Sequence, residues 1–485
     1  MPISFDSVPS NLRVPGTYIE FSNRLGGNSQ IEFKLVVLGQ RLAAGTVAEG
    51  VPVRVYNADD AEKFFGRGSQ LHLMFIALKK ADPYFETWAI AMDDGVGSTA
   101  GTKTLTVTGA ATEAGAATIY MGGKKVVATI ADTDDVTAIA TAIVAAVTAD
   151  TLLPFTAANT LGVVTLTAKN KGEAANDIDV RVGYNGESLP AGVAIAVADG
   201  VTGATNPDIT TALAAMADEW YNWIVNPWND ATNLAALDTE LDDRYGPLKQ
   251  IGARTFTAYR ENLANTATFG NGRNNPHVTT MGTNTSPTPP YEWAAVNAVV
   301  AGAALALDPA RQVRTLELTG VLPPAIADRW DDTERNSLLF DGISTYTVTA
   351  DGKVLIEQQI TNYQKNDLAI ADDSYLYINT PETLERIRYE QRARFGLKYP
   401  RHKLASDDAR PAPGQPVMQP KLARAELLAL YRDFEAKGWA QDYDGYAETL
   451  LLEVDNANSE RLNWYDSPKL VGNLRVTAGH TEFRK

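Results

Sequence analysis

Between Asn206 and Arg260 the chain changes period in a way that few folds accommodate. Asn206-Pro207 offers a side-chain cap and a first-turn proline, after which Ile209, Leu213, Met216 and Trp220 recur on one helical face. A short apolar run, Trp223-Ile224-Val225, breaks at Asn226-Pro227. Leu234, Leu237, Leu241 and Tyr245 mark a second amphipathic helix that stops at Gly246-Pro247, and Ile251 to Arg260 reads as a strand. This alternation predicts crossover units on a mostly parallel sheet, the scaffold of a central domain.

A chain of 485 residues exceeds one small core. Composition shifts predict an N-terminal arm over residues 1–30, a first part of an α/β core over 31–94, and an inserted β-rich domain over 95–204. The α/β core resumes over 205–370, followed by a C-terminal α+β domain over 371–472 and a C-terminal arm over 473–485. The expected fold class is therefore α/β and α+β, multidomain. Within the insertion, strands are expected at Thr104 to Thr108, Ala117 to Ile130 about a Gly122-Gly123 turn, Val163 to Ala168 and Ile178 to Tyr184. Val136, Ile139, Ile143 and Val147 form a helical stripe between them.

Further along, Asn262 to Pro290, rich in Asn, Thr, Gly and Pro, reads as a long surface loop. Tyr291 to Leu307 is apolar on nearly every side and reads as a buried helix. A strand is expected at Arg314 to Thr319. The alternation from Thr345 to Gln358 about Asp351-Gly352 is a hairpin. Tyr375 to Ile378 reads as a strand, Thr380-Pro381-Glu382 as a helix start, and Pro420 to Lys437 as a helix with Leu422, Leu427, Leu430 and Phe434 inward. Thr17, Tyr18, Ile19, Glu20 and Phe21 in the first arm form an isolated strand signal. Leu474, Arg475, Val476, Thr477 and Ala478 in the last arm form another. A lone strand of this length needs a sheet edge to pair with.

Function classes narrow by elimination. The net charge of -16 argues against gripping phosphate backbones. With no cysteine, thiolate chemistry and disulfides are excluded. The start, Met1-Pro2-Ile3-Ser4-Phe5-Asp6, lacks the pattern of a secretory signal, and no uninterrupted apolar window has the length of a membrane span. His72, His277, His402 and His480 lie far apart, without zinc-ligand spacing. Ser344 lacks a nucleophile elbow, and Gly122-Gly123-Lys124-Lys125 lacks the remaining residues of a phosphate loop. No catalytic, cofactor or metal site is expected. One stretch, Glu382 to Lys403, is richer in basic than acidic residues on this acidic chain, with Arg386, Arg388, Arg392 and Arg394 at its centre. It reads either as a solvated helix face or as a dock for an acidic partner.

Val14-Pro15-Gly16-Thr17-Tyr18-Ile19-Glu20, together with Gly342-Ile343-Ser344-Thr345 and Ile360-Thr361-Asn362-Tyr363, resembles the tail sheath proteins of contractile-tailed bacteriophages, the Mu-like group in particular. The likeness covers the arm, the core and the C-terminal region; nothing carries over to residues 95–204. The resemblance implies a subtilisin-like α/β sheath core without catalysis. It also implies stacked hexameric rings that form a helical polymer around a tail tube protein, with baseplate and tail terminator proteins at its ends. The two arm strands would complete sheets in neighbouring subunits, and Arg386, Arg388, Arg392 and Arg394 would include the tube contact. Assembly in the host cytoplasm, residence in the virion tail and contraction for genome delivery follow from the same resemblance. Competing readings are the sheath of a headless contractile bacteriocin or secretion system, an α/β hydrolase, and an adhesin suggested by the Thr- and Ala-rich insertion.

Overall fold

The computed structural model describes residues 31–484. They fall into two compact units. The larger comprises Phe33–Arg386, Ala436–Gln441 and the chain from Lys469 onward; the smaller contains Ile387–Glu435 and Asp442–Pro468.

The larger unit is built on a six-stranded sheet. Its strands are β1 (Leu35–Gln40), β2 (Pro52–Arg54), β3 (Thr87–Met92), β11 (Trp223–Val225), β12 (Arg254–Tyr259) and β13 (Val278–Gly282). They lie in the order β13-β12-β11-β1-β3-β2, and every pairing is parallel except β2 with β3. β1 is buried along its whole length, as expected of an apolar run covered on both faces. On one face lie α2 (Gln70–Ala81) and α7 (Pro290–Leu307), joined in one cluster with Leu35, Val37, Trp223 and Phe256. The other face packs against α4 (Thr210–Met216) and α5 (Ala231–Tyr245) through Leu213, Leu237 and Leu241. α7 is long and apolar enough to cross a membrane, but 72% of it is buried inside the fold. Gly302 lets it approach the sheet, since a Cβ there would stand 3.0 Å from the Trp223 ring.

The crossover expectation from Asn206 to Arg260 is met by α4, β11, α5 and β12, with a different start. Asn206 does not cap α4. Its Oδ1 accepts from the Glu173 amide and its Nδ2 donates to Asp230, while Asp208 accepts from the Thr210 amide near the helix start. Trp220 lies beyond α4, its indole donating to the Gly252 carbonyl.

Between β3 and α4 the chain forms two further sheets. One has the order β10-β4-β8-β7, from β4 (Thr102–Thr108), β7 (Phe155–Thr160), β8 (Val163–Ala168) and β10 (Ala194–Asp199). The other runs β6-β5-β9, from β5 (Gly115–Met121), β6 (Lys124–Ile130) and β9 (Val180–Val182). α3 (Val136–Ala149) buries Ile139, Ile143 and Val147, and its N-cap Asp135 accepts from the Thr137 and Ala138 amides. The sequence signal had missed β7 and β10: their apolar and polar residues do not alternate cleanly.

Asn262 to Pro290 is not a surface loop. Asn262 caps α6 (Leu263–Asn271), and Val278–Gly282 forms the fully buried β13. Threonines survive there because their hydroxyls are bonded: Thr279 to the Ile360 carbonyl and Thr280 to Asn362. Two expected strands do not form. Arg314 to Thr319 runs beside β15 (Val354–Gln358) through the Thr315 and Leu318 amides, but Thr315 has a φ of 67° and the pairing reduces to an isolated bridge. Tyr375 to Ile378 is a turn that contributes one bridge, Ile360 to Tyr377.

The expected hairpin is present as β14 (Thr345–Val348) and β15, with Gly352 at a φ of 83°. α1 (Ala58–Phe65) is capped by Asn57, and Asp331 with Glu334 forms a capping box on α8 (Asp332–Phe340). Two short strands, β18 (Ala440–Gln441) and β21 (Lys469–Leu470), pair in the larger unit.

The smaller unit contains most of α9 (Asn379–Lys398) and α10 (Pro420–Ala436), with α11 (Tyr443–Thr449) and two small sheets. β16 (Lys403–Leu404) pairs with β17 (Val417–Met418), and β19 (Leu451–Val454) with β20 (Leu462–Tyr465). α10 turns Ala423, Leu427, Leu430, Tyr431 and Phe434 inward, and Leu422 stays exposed. Tyr431 stacks on Tyr446 at 3.8 Å between ring centroids.

Candidate assembly interface

The C-terminal segment is the first feature with the chemistry of an assembly element. Past β21 the chain has no regular secondary structure, and residues 474–478 join no ladder among the described residues. The segment is rooted at its base, where Asn473 donates to Asn379 at 2.9 Å and Asn379 donates to the Pro309 and Arg311 carbonyls. The Arg475 guanidinium lies over the Tyr377 ring, and Arg314 donates to the Arg475 carbonyl. Leu474 and Val476 on either side are 77% and 82% exposed. Thr477 and Ala478 are exposed as well, and the expected strand does not form among the described residues. Thr17 to Phe21, the other expected arm strand, lies outside the described residues.

The second feature is α9. In its part within the larger unit, Glu382 is buried 3.4 Å from Arg254; burial raises its carboxyl above the usual range while Arg254 pulls it back. Arg386 donates to the Ala306 carbonyl at 2.8 Å and lies over the rings of Phe33 and Trp439. In the part within the smaller unit, Arg394 bonds Asp433 at 2.8 Å and approaches Glu426, which also accepts from Lys398 and Tyr399. Arg388 is half-buried, and Arg392 is exposed. Arg392 also lies over the Tyr389 ring, so Arg386, Arg392 and Arg394 each make contacts within their own units. Sequence proximity had grouped them, whereas the helical turn separates them.

Burial opposes the charge of Glu426, but hydrogen bonds from Lys398 and Tyr399 and the nearby Arg394 outweigh it and hold the carboxyl below its usual range. A depressed carboxyl contributes stability at neutral pH that is lost as pH falls through its folded pKa. Glu426→Ala should destabilise the smaller unit by about 1.5–3 kcal/mol at pH 7, and by less in acid. Thermal melts of both chains from pH 7 down to 3 check this; a pH-independent difference would reject it.

The site at which doubly wound sheets bind ligands is filled. β1 lies where the strand order reverses, and at its end Gln40 donates to Asp94 and to the Lys171 carbonyl. Asn170 donates to the Arg41 carbonyl and accepts from the Gln70 amide. The cavity remaining there is about 20 Å³, the size of one water. Ser344 is fully buried, bonded to Thr279 and to the backbone of Ile360. Among the described residues, no group of three or more His, Cys, Asp or Glu side chains could hold a metal ion.

Comparison with known proteins identifies the family. Residues 202–362 match the family model of the phage tail sheath protein central domain, and residues 371–484 that of the phage tail sheath C-terminal domain. The Mu-like prophage FluMu tail sheath protein of Haemophilus influenzae is 40% identical over 488 aligned residues, covering 100% of both chains. Among solved structures, a sheath tail protein from Desulfitobacterium hafniense is 14% identical with a TM-score of 0.47, over 94% of this chain and 100% of that one. The anti-feeding prophage helical sheath in its contracted state is 11% identical with a TM-score of 0.46, over 98% and 99%. A relative of that identity along the whole length, with both family domains in order, places this chain in the phage tail sheath family, as a structural subunit of a contractile tail.

Proposed function

We propose that the chain polymerises as stacked hexameric rings around a tail tube and that its two ends join each copy to its neighbours. The carrying observation is the C-terminal segment, rooted by Asn473 and Arg475, with Leu474 and Val476 bare. The β19–β20 hairpin of the smaller unit is a suitable acceptor. It has two strands, and Leu451 and Tyr465 are each 65% exposed. Such a hairpin is marginal alone and gains stability from added strands. About five ladder bonds at roughly 1 kcal/mol each would keep neighbours joined while the bodies rotate.

Contraction would then be a rearrangement of body contacts between fixed joints, started at the baseplate and driving the tube through the host envelope. The core is of the subtilisin-like type implied by the resemblance, and the filled crevice beside Gln40 supports a structural rather than a catalytic role. Negative-stain microscopy of the purified protein should show hollow striated cylinders; dispersed particles under all assembly conditions would count against the proposal. A phage tail, rather than a headless bacteriocin or secretion system, is favoured by the full-length prophage relative.

For the tube contact, Arg388 and Arg392 are tested first of the four candidates, since Arg392 is exposed and Arg388 half-buried, within reach of a partner surface. Reversing both to Glu should stop the sheath assembling on tubes in moderate salt. Reversal at Arg394 should instead lower the melting temperature. Co-sedimentation with tubes and a thermal melt separate the two outcomes, and normal co-sedimentation of the Arg388→Glu/Arg392→Glu chain would remove these residues from the contact.

A further inference from the structure

The sheet of β10, β4, β8 and β7 has two bare edges, and the other sheets of three or more strands in the described residues do not. In the six-stranded sheet, β2 carries Pro52 and Arg54, and β13 is covered by Ser344 and Asn362 through backbone bonds to Thr280 and Val278. In the three-stranded sheet, β6 begins with Lys124-Lys125 and β9 holds Arg181. These are the devices by which proteins protect edges from pairing with other chains. β7 (Phe-Thr-Ala-Ala-Asn-Thr) and the first five residues of β10 (Ala-Ile-Ala-Val-Ala) have no charge, proline or bulge. On the face turned from α3, one cross-strand row reads Ala198, Thr104, Thr165, Ala158, again uncharged. Leaving this surface uncharged on a chain of net charge -16 suits a neutral partner of the same composition.

The strand directions identify that partner. All three pairings in the sheet are antiparallel, so β7 and β10 at opposite edges also run opposite ways. A second copy brought up without inversion therefore presents its β10 antiparallel to β7 of the first. Such head-to-tail contact repeats along a polymer instead of closing a dimer. We propose that residues 95–204 join neighbouring copies of this chain edge to edge, the outer side of β10 on one copy pairing with the outer side of β7 on the next. The proposal rests on the sheath polymer and adds a lateral contact distinct from the arms.

The absence of native cysteine makes the test clean. Ala158 and Ala196 lie near the centres of the two edge strands, exposed and on the same face. In assembled cylinders of the full chain carrying Ala158→Cys and Ala196→Cys together, a short bismaleimide linker should give a ladder of covalent oligomers beyond the dimer. Each single variant should give monomer. Adding Val197→Lys, a charge at the edge, should reduce the ladder by roughly tenfold with the far-ultraviolet circular dichroism unchanged. Intact cylinders with no ladder would overturn the contact, as would dimers from Ala196→Cys alone, which indicate a two-fold β10–β10 pairing. A ladder unaffected by Val197→Lys would overturn it too. Failure of the unmodified chain to form cylinders would instead count against the polymer itself.

Discussion

Removal of residues 473–485 should leave a folded, soluble monomer that forms no cylinders. The fold should survive because the segment's ties to its own body are few. Among the described residues they include the Asn473 bond to Asn379, the Arg475 guanidinium over and bonded to Tyr377, and the Arg314 bond to the Arg475 carbonyl. Their loss should cost about 1–3 kcal/mol in all, a small shift of the melting temperature for a body of this size. The polymer has no such reserve. Each junction would lose a ladder of about five bonds, and the loss recurs at every subunit. Deleting residues 1–22 should have the same effect through the other end. Analytical ultracentrifugation, a thermal melt and negative-stain micrographs read the three parts of the expectation. Cylinders of normal length from either truncated chain would show that the ends are not the joints and would end the hinge account of contraction.

The second large effect is expected within the fold. Arg244, in the last turn of α5, is fully buried. Its two terminal nitrogens donate to the Glu219 and Ala217 carbonyls at 2.9 and 2.7 Å, and its Nε donates to Glu240. The guanidinium thus ties the end of α5 to the turn after α4, where Ala217 has a φ of 41° that an L-residue adopts only under constraint. Arg244→Ala leaves two carbonyls without a donor and Glu240 without its cation. The expected cost is about 3–5 kcal/mol. A urea titration followed by tryptophan fluorescence would register it, since Trp220 and Trp223 flank this region. A loss below about 1 kcal/mol would mean that water replaces the side chain and that the turn holds without it.

Local chemistry was legible wherever a residue's partner is close in sequence. The stripe from Val136 to Val147 and the Asp351-Gly352 hairpin appear as their spacing predicts. The capping box of Asp331 and Glu334 on α8 is equally local. The errors share one cause. Thr279, Thr280 and Asn262 look like loop residues, yet they serve as buried donors and a cap once residues 360–362 and α6 are in place. Tyr375 to Ile378 has strand composition but finds a single bridge, because no long edge lies beside it.

What the sequence determined alone was the run of apolar faces, caps and turns, and hence a parallel α/β core with a composition-shifted segment inside it. The strand signal at Leu474–Ala478 came from it too, because helical and strand periods are properties of neighbouring residues, but that segment forms no strand among the described residues. Only the tertiary structure decided which arginines of α9 turn inward, that Asn170 and Lys171 fill the crevice beside Gln40, and which sheet edges stay bare. Those outcomes depend on groups 39 to 131 residues away meeting in space, and no local period records such a meeting.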